Sequence, residues 1–454
     1  MSIIWAEQAL TAEGWAKDVR LEIGADGRIA DVQANQNPDG HKVGALFPAP
    51  ANSHSHAFQR AMAGLTERRG KHATDSFWTW RQLMFRFLDA LTPDQVQAIA
   101  ALVQMEMLEA GFATNVEFHY LHHQPGGVPY AHLGEMAERI AAAAEISGIG
   151  LTLLPVHYQF GGCDQRPLGP GQIRFGNDAQ QFARLVEDAR AALKALPNDA
   201  KLGVAPHSLR AVSQEDLQNA AALVPDGPVH LHLAEQIPEV EEVQANWHAR
   251  PVEWALDNLP IDGRWCLIHL TQMLPHETEA LAKTGAVAGL CPLTEASLGD
   301  GIFDAVRWMN NGGRISIGSD SNIRISMAEE LRQLDTSQRL RDHTRAALAT
   351  ADLSTGHRLF DAICTGGAQA AGRGSGKLEV GAWADLLALD TGHLDLTGVQ
   401  GDTLLDSFVF TGDNRMITDV WSAGRHMVQH GRHIHGEKIT ADYRKAVKPL
   451  RDGL

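Results

Sequence analysis

The sequence predicts an α/β protein: a closed (β/α)8 barrel carrying a small β domain made from both chain ends. Three observations predict it. Short apolar strands alternate with long helical stretches over residues 46–374, the pattern of parallel βα units. With the strand that runs into His54, eight such strands can be counted. Both ends, 1–45 and 375–454, read as β instead. Neither end is large enough to bury a core alone, so the two should pair.

In chain order, 18–23 and 28–32 alternate apolar and polar residues around Gly24-Ala25-Asp26-Gly27, a hairpin signal. The apolar and proline-rich run 46–50 leads into Asn52-Ser53-His54-Ser55-His56. Further strands are expected at 114–120, 150–156, 202–206, 229–233, 265–269, 286–291 and 314–320. Between them lie helical patterns such as 95–110, 134–146, 179–195 and 275–283. The Gly/Pro-rich stretch 161–176 is too long for a simple turn, which marks it as a functional loop. Segment 376–390 carries turn, strand and turn signals, and 420–431 reads as a second hairpin.

Composition narrows the class. Hydrophobic residues make up 44% of the 454 and charged residues 21%, ordinary for a soluble globular protein. No uncharged apolar stretch reaches the ~18 residues of a membrane span. The first ten residues carry Glu7 and no basic region, so no secretory signal is expected. Cys163, Cys266, Cys291 and Cys364 form no Cys-x-x-Cys, which favours a reducing cytoplasm over a disulfide framework. It also excludes the Pro-Cys-x-x-Cys site of cytidine-type deaminases. A net charge of −16 should repel nucleic acid and anionic membranes. An anionic small-molecule substrate would then need Arg or Lys in its own pocket.

Three His-x-His pairs occur: His54/His56, His230/His232 and His433/His435. Roughly one is expected by chance among so many histidines, so a pair alone is weak evidence. The placement of the polar residues is stronger. His54 and His56 fall at the end of strand 1, and His119 and Tyr120 at strand 2. His157 falls at strand 3, His207 at strand 4, His232 at strand 5, His269 at strand 6 and Asp320 at strand 8. Barrels of this class keep their active sites at the C-terminal strand ends. His54, His56, His232 and Asp320 would give three imidazoles and a carboxylate around one divalent ion, with a position open for water. That donor set suits zinc, and iron or another divalent metal also fits. Such an ion brings the pKa of water near neutrality, and Asp320 can accept the proton. Glu235 can shuttle a proton to a nitrogen leaving group. Its plain reading is a carboxylate favoured at a helix N-terminus. His269 can polarise the developing tetrahedral centre.

His54-Ser55-His56, His232-Leu233-Ala234-Glu235, Ile268-His269-Leu270-Thr271 and Gly318-Ser319-Asp320, in that order, resemble the mononuclear deaminase branch of the amidohydrolase superfamily. The segment 376–385 resembles that family's return into its small domain. The resemblance implies a TIM-type barrel flanked by a β-sandwich from both termini. Binuclear relatives commonly use a carbamylated Lys at strand 4. Here that strand ends Ala205-Pro206-His207-Ser208, with no Lys, which favours a single metal. The stretches 54–60, 77–81, 117–120, 206–210 and 291–301 further resemble the formimidoylglutamate deiminases. Purine-type deaminases usually carry Ser-Asn where this chain has Thr294-Glu295. Leu293 and Ser297 depart from the expected Thr and Asn.

This resemblance implies hydrolysis of N-formimidoyl-L-glutamate to N-formyl-L-glutamate and ammonia in histidine breakdown. It also implies that Arg81, His207 and Arg210 hold the substrate carboxylates, that Tyr120 donates its hydroxyl, and that Gln59 contacts the backbone or head group. A homodimer follows by family analogy. The alternative is a mononuclear aminohydrolase acting on another amidine, guanidine or purine-type substrate.

Overall fold

Runs of apolar residues without alternation form strands that are buried on both faces, as a parallel sheet inside a helical shell requires. In a computed structural model, residues 2–67 and 77–452 are described, without the side chains of Phe77, Trp78, Thr79 and Gln82. Eight strand positions follow one another: Ala51–Ser55, Thr114–His119, Gly150–His157, Lys201–Leu202 continuing as Ala205–Pro206, Val229–Leu233, Trp265–His269, Val287–Leu290 and Arg314–Ile317. Each pairs in parallel with its neighbour. Parallel bridges Val204–Val229 and Ser208–His232 close the ring. The architecture is the expected (β/α)8 barrel.

Local signals set the helix starts. Pro93–Glu109 begins at Thr92, whose hydroxyl accepts from Gln95 N–H while the Gln95 side chain reaches back to the Thr92 N–H. Asp178 and Gln181 do the same for Ala179–Ala192. Helices Glu135–Ser147 and Pro275–Ala282 also lie where the apolar spacing puts them.

The terminal sheet interleaves the two chain ends. Its order is Arg432–His433, Arg425–Gln429, Ile417–Ser422, Leu386–Leu389, His41–Pro48, Ser2–Thr11, Gly14–Ile23 and Ile29–Gln33. The seam is antiparallel, His41–Pro48 against Leu386–Leu389. The sheet then curls until its distant parts meet. Arg28 bridges Trp383, and a Cβ on Gly27 would stand 2.4 Å from the Ala423 carbonyl oxygen, so only glycine fits there. The two leaves enclose Ile4, Val19, Leu21, Leu386 and Trp421 as a core of their own, which is the expected sandwich.

Two features differ from the sequence reading. The run Leu46–Pro48 belongs to the terminal sheet, and the barrel strand begins only at Ala51. The C-terminal segment is also not β throughout. Helix Asp402–Phe410 packs on Thr355–Ala370, and Gly436–Asp452 packs on Pro93–Glu109. In Asp402–Phe410 the buried Leu404, Leu405, Phe408 and Val409 follow helical spacing.

Candidate active site

Strand ends deliver the ligand-type side chains to one point. His54 is the fourth residue of Ala51–Ser55 and His56 follows the strand, with ring centroids 4.6 Å apart. His232 brings its Nε2 to 3.1 Å from His54 Nε2. Asp320 Oδ1 lies 3.3 Å from His56 Nε2 and 3.6 Å from His54 Nε2. Gly318 allows this approach, since a Cβ there would sit 2.7 Å from the His54 backbone N and O. Residues around the mouth hold left-handed backbone, among them Ala234 (φ 53°), His269 (φ 74°), Leu270 (φ 56°), Asp320 (φ 45°) and Asn322 (φ 54°). Non-glycine residues held there cost of order 1–3 kcal/mol each, and such strain concentrates at functional sites.

The donors fit a divalent cation. His56 Nδ1–H donates to the Phe118 carbonyl at 3.1 Å, and His232 Nδ1–H donates to the His207 carbonyl at 3.1 Å. A carbonyl only accepts, so both Nε2 atoms present bare lone pairs inward. One of them faces His54 Nε2 at 3.1 Å, which calls for a proton or a cation between the rings. His54 Nδ1 is buried with no hydrogen-bond partner among the described residues. Burial holds His56 down to about 3. Burial and the neighbouring imidazoles hold His54 and His232 well below the ordinary range. The rings are therefore neutral, the form that binds metal. Burial raises Asp320 to about 7, a cost that a bound cation would offset.

His269 is charged by its surroundings. Burial opposes protonation, but Glu235, Glu295 and Asp320 outweigh it and raise the imidazole to about 10. Its Nδ1–H donates to Glu295 Oε1 at 3.2 Å, and that oxygen also accepts the Cys291 N–H at 2.8 Å. Its Nε2 stands 3.8 Å from Glu235 Oε1 and 3.9 Å from Asp320 Oδ2. Glu235 is not a helix-capping carboxylate. Helix Ile237–Trp247 starts after it, and Glu239 accepts the Ala234 and Glu235 N–H groups at 3.1 and 3.0 Å. The Glu235 side chain turns into the cavity instead.

The rest of the cavity lining carries the recognition candidates. Gln59, Arg81, Tyr120, His207 and Arg210 line the same cavity as His56, His232, Glu235, His269 and Asp320. His54 stands behind, against His56, His232 and Asp320. Gln59 Nε2 donates to Tyr120 Oη at 2.9 Å, and the buried Gln59 Oε1 has no donor among the described residues. Among the described residues, Tyr120 O–H meets the Met84 sulfur, at 3.8 Å. Arg210 Nη2 lies 3.8 Å from Glu235 Oε2. Burial opposes the Arg210 charge, but Glu239 and Glu235 outweigh it and keep the guanidinium ionised. His207 is pushed well below its ordinary range by burial, then by Arg210 and Arg81.

The chain as a whole has known relatives. Residues 45–427 match the amidohydrolase family. The chain belongs to that family. Its residues 1–42 match the formimidoylglutamate deiminase HutF N-terminal domain. The amidohydrolase is 46% identical to the formimidoylglutamate deiminase of Pseudomonas aeruginosa, covering 100% of both chains. It is 30% identical to the 5-methylthioadenosine/S-adenosylhomocysteine deaminase of Halobacterium salinarum, over 54% of this chain and 58% of that one. The crystal structure of an amidohydrolase from Brucella melitensis superposes with a TM-score of 0.95 at 47% identity, covering 99% and 100% of the two chains. A zinc-bound adenosine deaminase from Xanthomonas campestris shares the fold, with a TM-score of 0.83 at 21% identity over 99% and 98%.

Not every strand-end histidine of this amidohydrolase turns inward. His157 donates from Nδ1 to Asn177 Oδ1 at 2.6 Å and stacks on Phe182. His119 faces His122. In both strands the next residue, Tyr120 or Tyr158, takes the cavity face. His230 bonds the Ala370 carbonyl and His433 the Ser147 carbonyl, both structural.

Sequence reasoning missed the supports. Asn52 Nδ2 donates to Ser319 Oγ at 2.7 Å, and Ser319 Oγ donates to Asn322 Oδ1 at 2.6 Å. Asn322 Nδ2 reaches the His56 and Asp320 carbonyls at 3.2 and 3.1 Å. Glu117, raised to about 7 by burial, accepts the Ala57 N–H at 2.7 Å. Polar side chains inside otherwise apolar strands were the available signal.

Proposed function

We propose that this amidohydrolase hydrolyses N-formimidoyl-L-glutamate to N-formyl-L-glutamate and ammonia, a step of histidine degradation. One observation carries the reading: members of a His/Asp donor cluster line the same cavity as the cations Arg81 and Arg210. In a chain of net charge −16, cations placed there suit a substrate with two carboxylates. Full-length kinship with the Pseudomonas aeruginosa deiminase supports the same substrate.

His54, His56, His232 and Asp320 would hold one zinc ion. Its Lewis acidity makes water nucleophilic at neutral pH. Asp320 takes the proton lost by the water as its oxygen adds to the formimidoyl carbon. The His269 imidazolium donates from Nε2 to the charge that develops there. Glu235, facing His269, works in concert with Asp320 to carry both water protons in turn to the nitrogen, so that the carbonyl forms, the C–N bond breaks and ammonia leaves. Gln59 Oε1 accepts an N–H of the head group. Arg81, His207 and Arg210 bind the carboxylates, with Tyr120 available to donate. Burial of this set excludes bulk water and strengthens each electrostatic contact.

The enzyme belongs, in this reading, to the cytoplasm, where four unpaired buried cysteines are at home. It would act as a homodimer, without nucleic-acid or membrane partners. No helix among the described residues is long and apolar enough to cross a membrane. Ammonia release from N-formimidoyl-L-glutamate, beside guanine and with metal analysis, tests the proposal. Metal-dependent turnover of the first is expected. Turnover of guanine alone would overturn it.

A further inference from the structure

Tyr158 follows the third barrel strand and lines the cavity beside Arg81, His207 and Arg210. Its hydroxyl oxygen receives two hydrogen bonds. Arg81 Nη2 donates at 2.9 Å, and a guanidinium has no acceptor. Gln172 Nε2 donates at 2.9 Å. The direction of the second bond is fixed, because Gln172 Oε1 accepts the Gly169 N–H at 3.0 Å and the amide cannot be turned over.

A phenol oxygen has two lone pairs and one proton. Both lone pairs of Tyr158 are taken, so its O–H must point elsewhere, and no acceptor meets it among the described residues. The side chain is buried, so bulk water does not serve it. A buried donor without an acceptor is costly. Arg81, bound to the same oxygen, makes the O–H a stronger donor. His207, the closest ring at 4.5 Å, makes no hydrogen bond to it and turns its Nδ1 to Ser208 Oγ.

We propose that Tyr158 is a substrate-binding residue whose hydroxyl donates to a carboxylate oxygen of the substrate, next to the Arg81 guanidinium. Gln172 is its positioning residue, holding the phenol so that the proton faces the cavity. This gives the 161–176 loop a role, since Gln172 lies on it. The inference rests on the dicarboxylate reading above.

Tyr158→Phe keeps the ring and removes the donor. The KM for N-formimidoyl-L-glutamate and the Kd for glutarate, read by calorimetry, should both rise about 10- to 100-fold, with kcat falling far less. Unchanged KM and Kd would overturn the proposal. Arg81→Ala separates direct contact from indirect support. In that background Tyr158→Phe should still weaken glutarate further, and no further loss would mean that the phenol acts only by seating Arg81. Gln172→Leu should raise the same Kd by a smaller factor, without altering metal content. A wild type that binds glutarate but releases no ammonia sinks the proposed reaction alone. One that binds no dicarboxylate sinks both.

Discussion

The wall that carries His54, His56, His232, His269 and Asp320 comes from the barrel strands and their immediate ends. The wall that carries Gln59, Arg81, Tyr158 and Arg210 comes from segments after the strands: the short helix Ala57–Met62, helix Phe77–Ala90 and the turns beyond His157 and Pro206. On the first wall, side-chain direction is set by ladder register and by backbone carbonyls that grip two of the rings. On the second, side chains are aimed by other side chains, as where Arg81 meets Tyr158 and Gln59 meets Tyr120. The difference teaches a division of labour. The rigid sheet fixes the groups that need ångström placement for bond chemistry. The connecting segments supply recognition and can change without disturbing those groups.

Variants that act on one wall alone can break this division. The largest effect is expected from Glu235→Gln, which should keep its metal and lose about 100- to 10,000-fold in kcat. Near-normal turnover would remove Glu235 from proton transfer. Arg210→Ala should act on the other parameter, raising the KM for the dicarboxylate by about 10- to 1000-fold, since it strips a buried charged contact. An unchanged KM would take Arg210 out of the recognition wall.

Asn322→Ala tests whether the first wall is held by its polar corner. It removes the donor to the His56 and Asp320 carbonyls and should lower stability by about 1–3 kcal/mol in denaturant titration. A midpoint equal to that of the wild type would show that the strand register suffices. The smallest effect concerns protons. Folded His56 sits at about 3, against 6.5 for an ordinary histidine. The unfolded chain therefore takes up the proton first, and stability of the metal-free protein falls as pH drops from 6.5 towards 3. His56→Gln should lessen that slope in thermal melts, although His54 and His232 still contribute to it. Identical slopes would mean that His56 is not held neutral.

The same division explains what the sequence disclosed. The barrel and the donor set follow from local pattern, because a residue near the end of an apolar strand has a known address in this fold. Even so, the address was one residue too coarse at His157, where the cavity face falls to Tyr158, whereas at strand 2 the reading named Tyr120 beside His119. Glu295 stood in a motif already noted, but its grip on His269 spans 26 residues. The Asn52–Ser319 bond spans 267 residues. Such partners meet only once the barrel closes, so no local spacing reveals them. Helix Asp402–Phe410 escaped for another reason: its apolar spacing lies within a segment whose neighbours carry turn and hairpin signals.

The central claim is that one cavity joins hydrolytic chemistry on one wall to carboxylate recognition on the other. The most direct measurement is the ratio of kcat/KM for N-formimidoyl-L-glutamate over N-formimidoylglycine, which keeps the reacting group and lacks the side-chain carboxylate. The account predicts a ratio of about 100 or more in the wild type, falling towards one when Arg81 and Arg210 are both replaced by Ala while metal content holds. A wild-type ratio near one would contradict it.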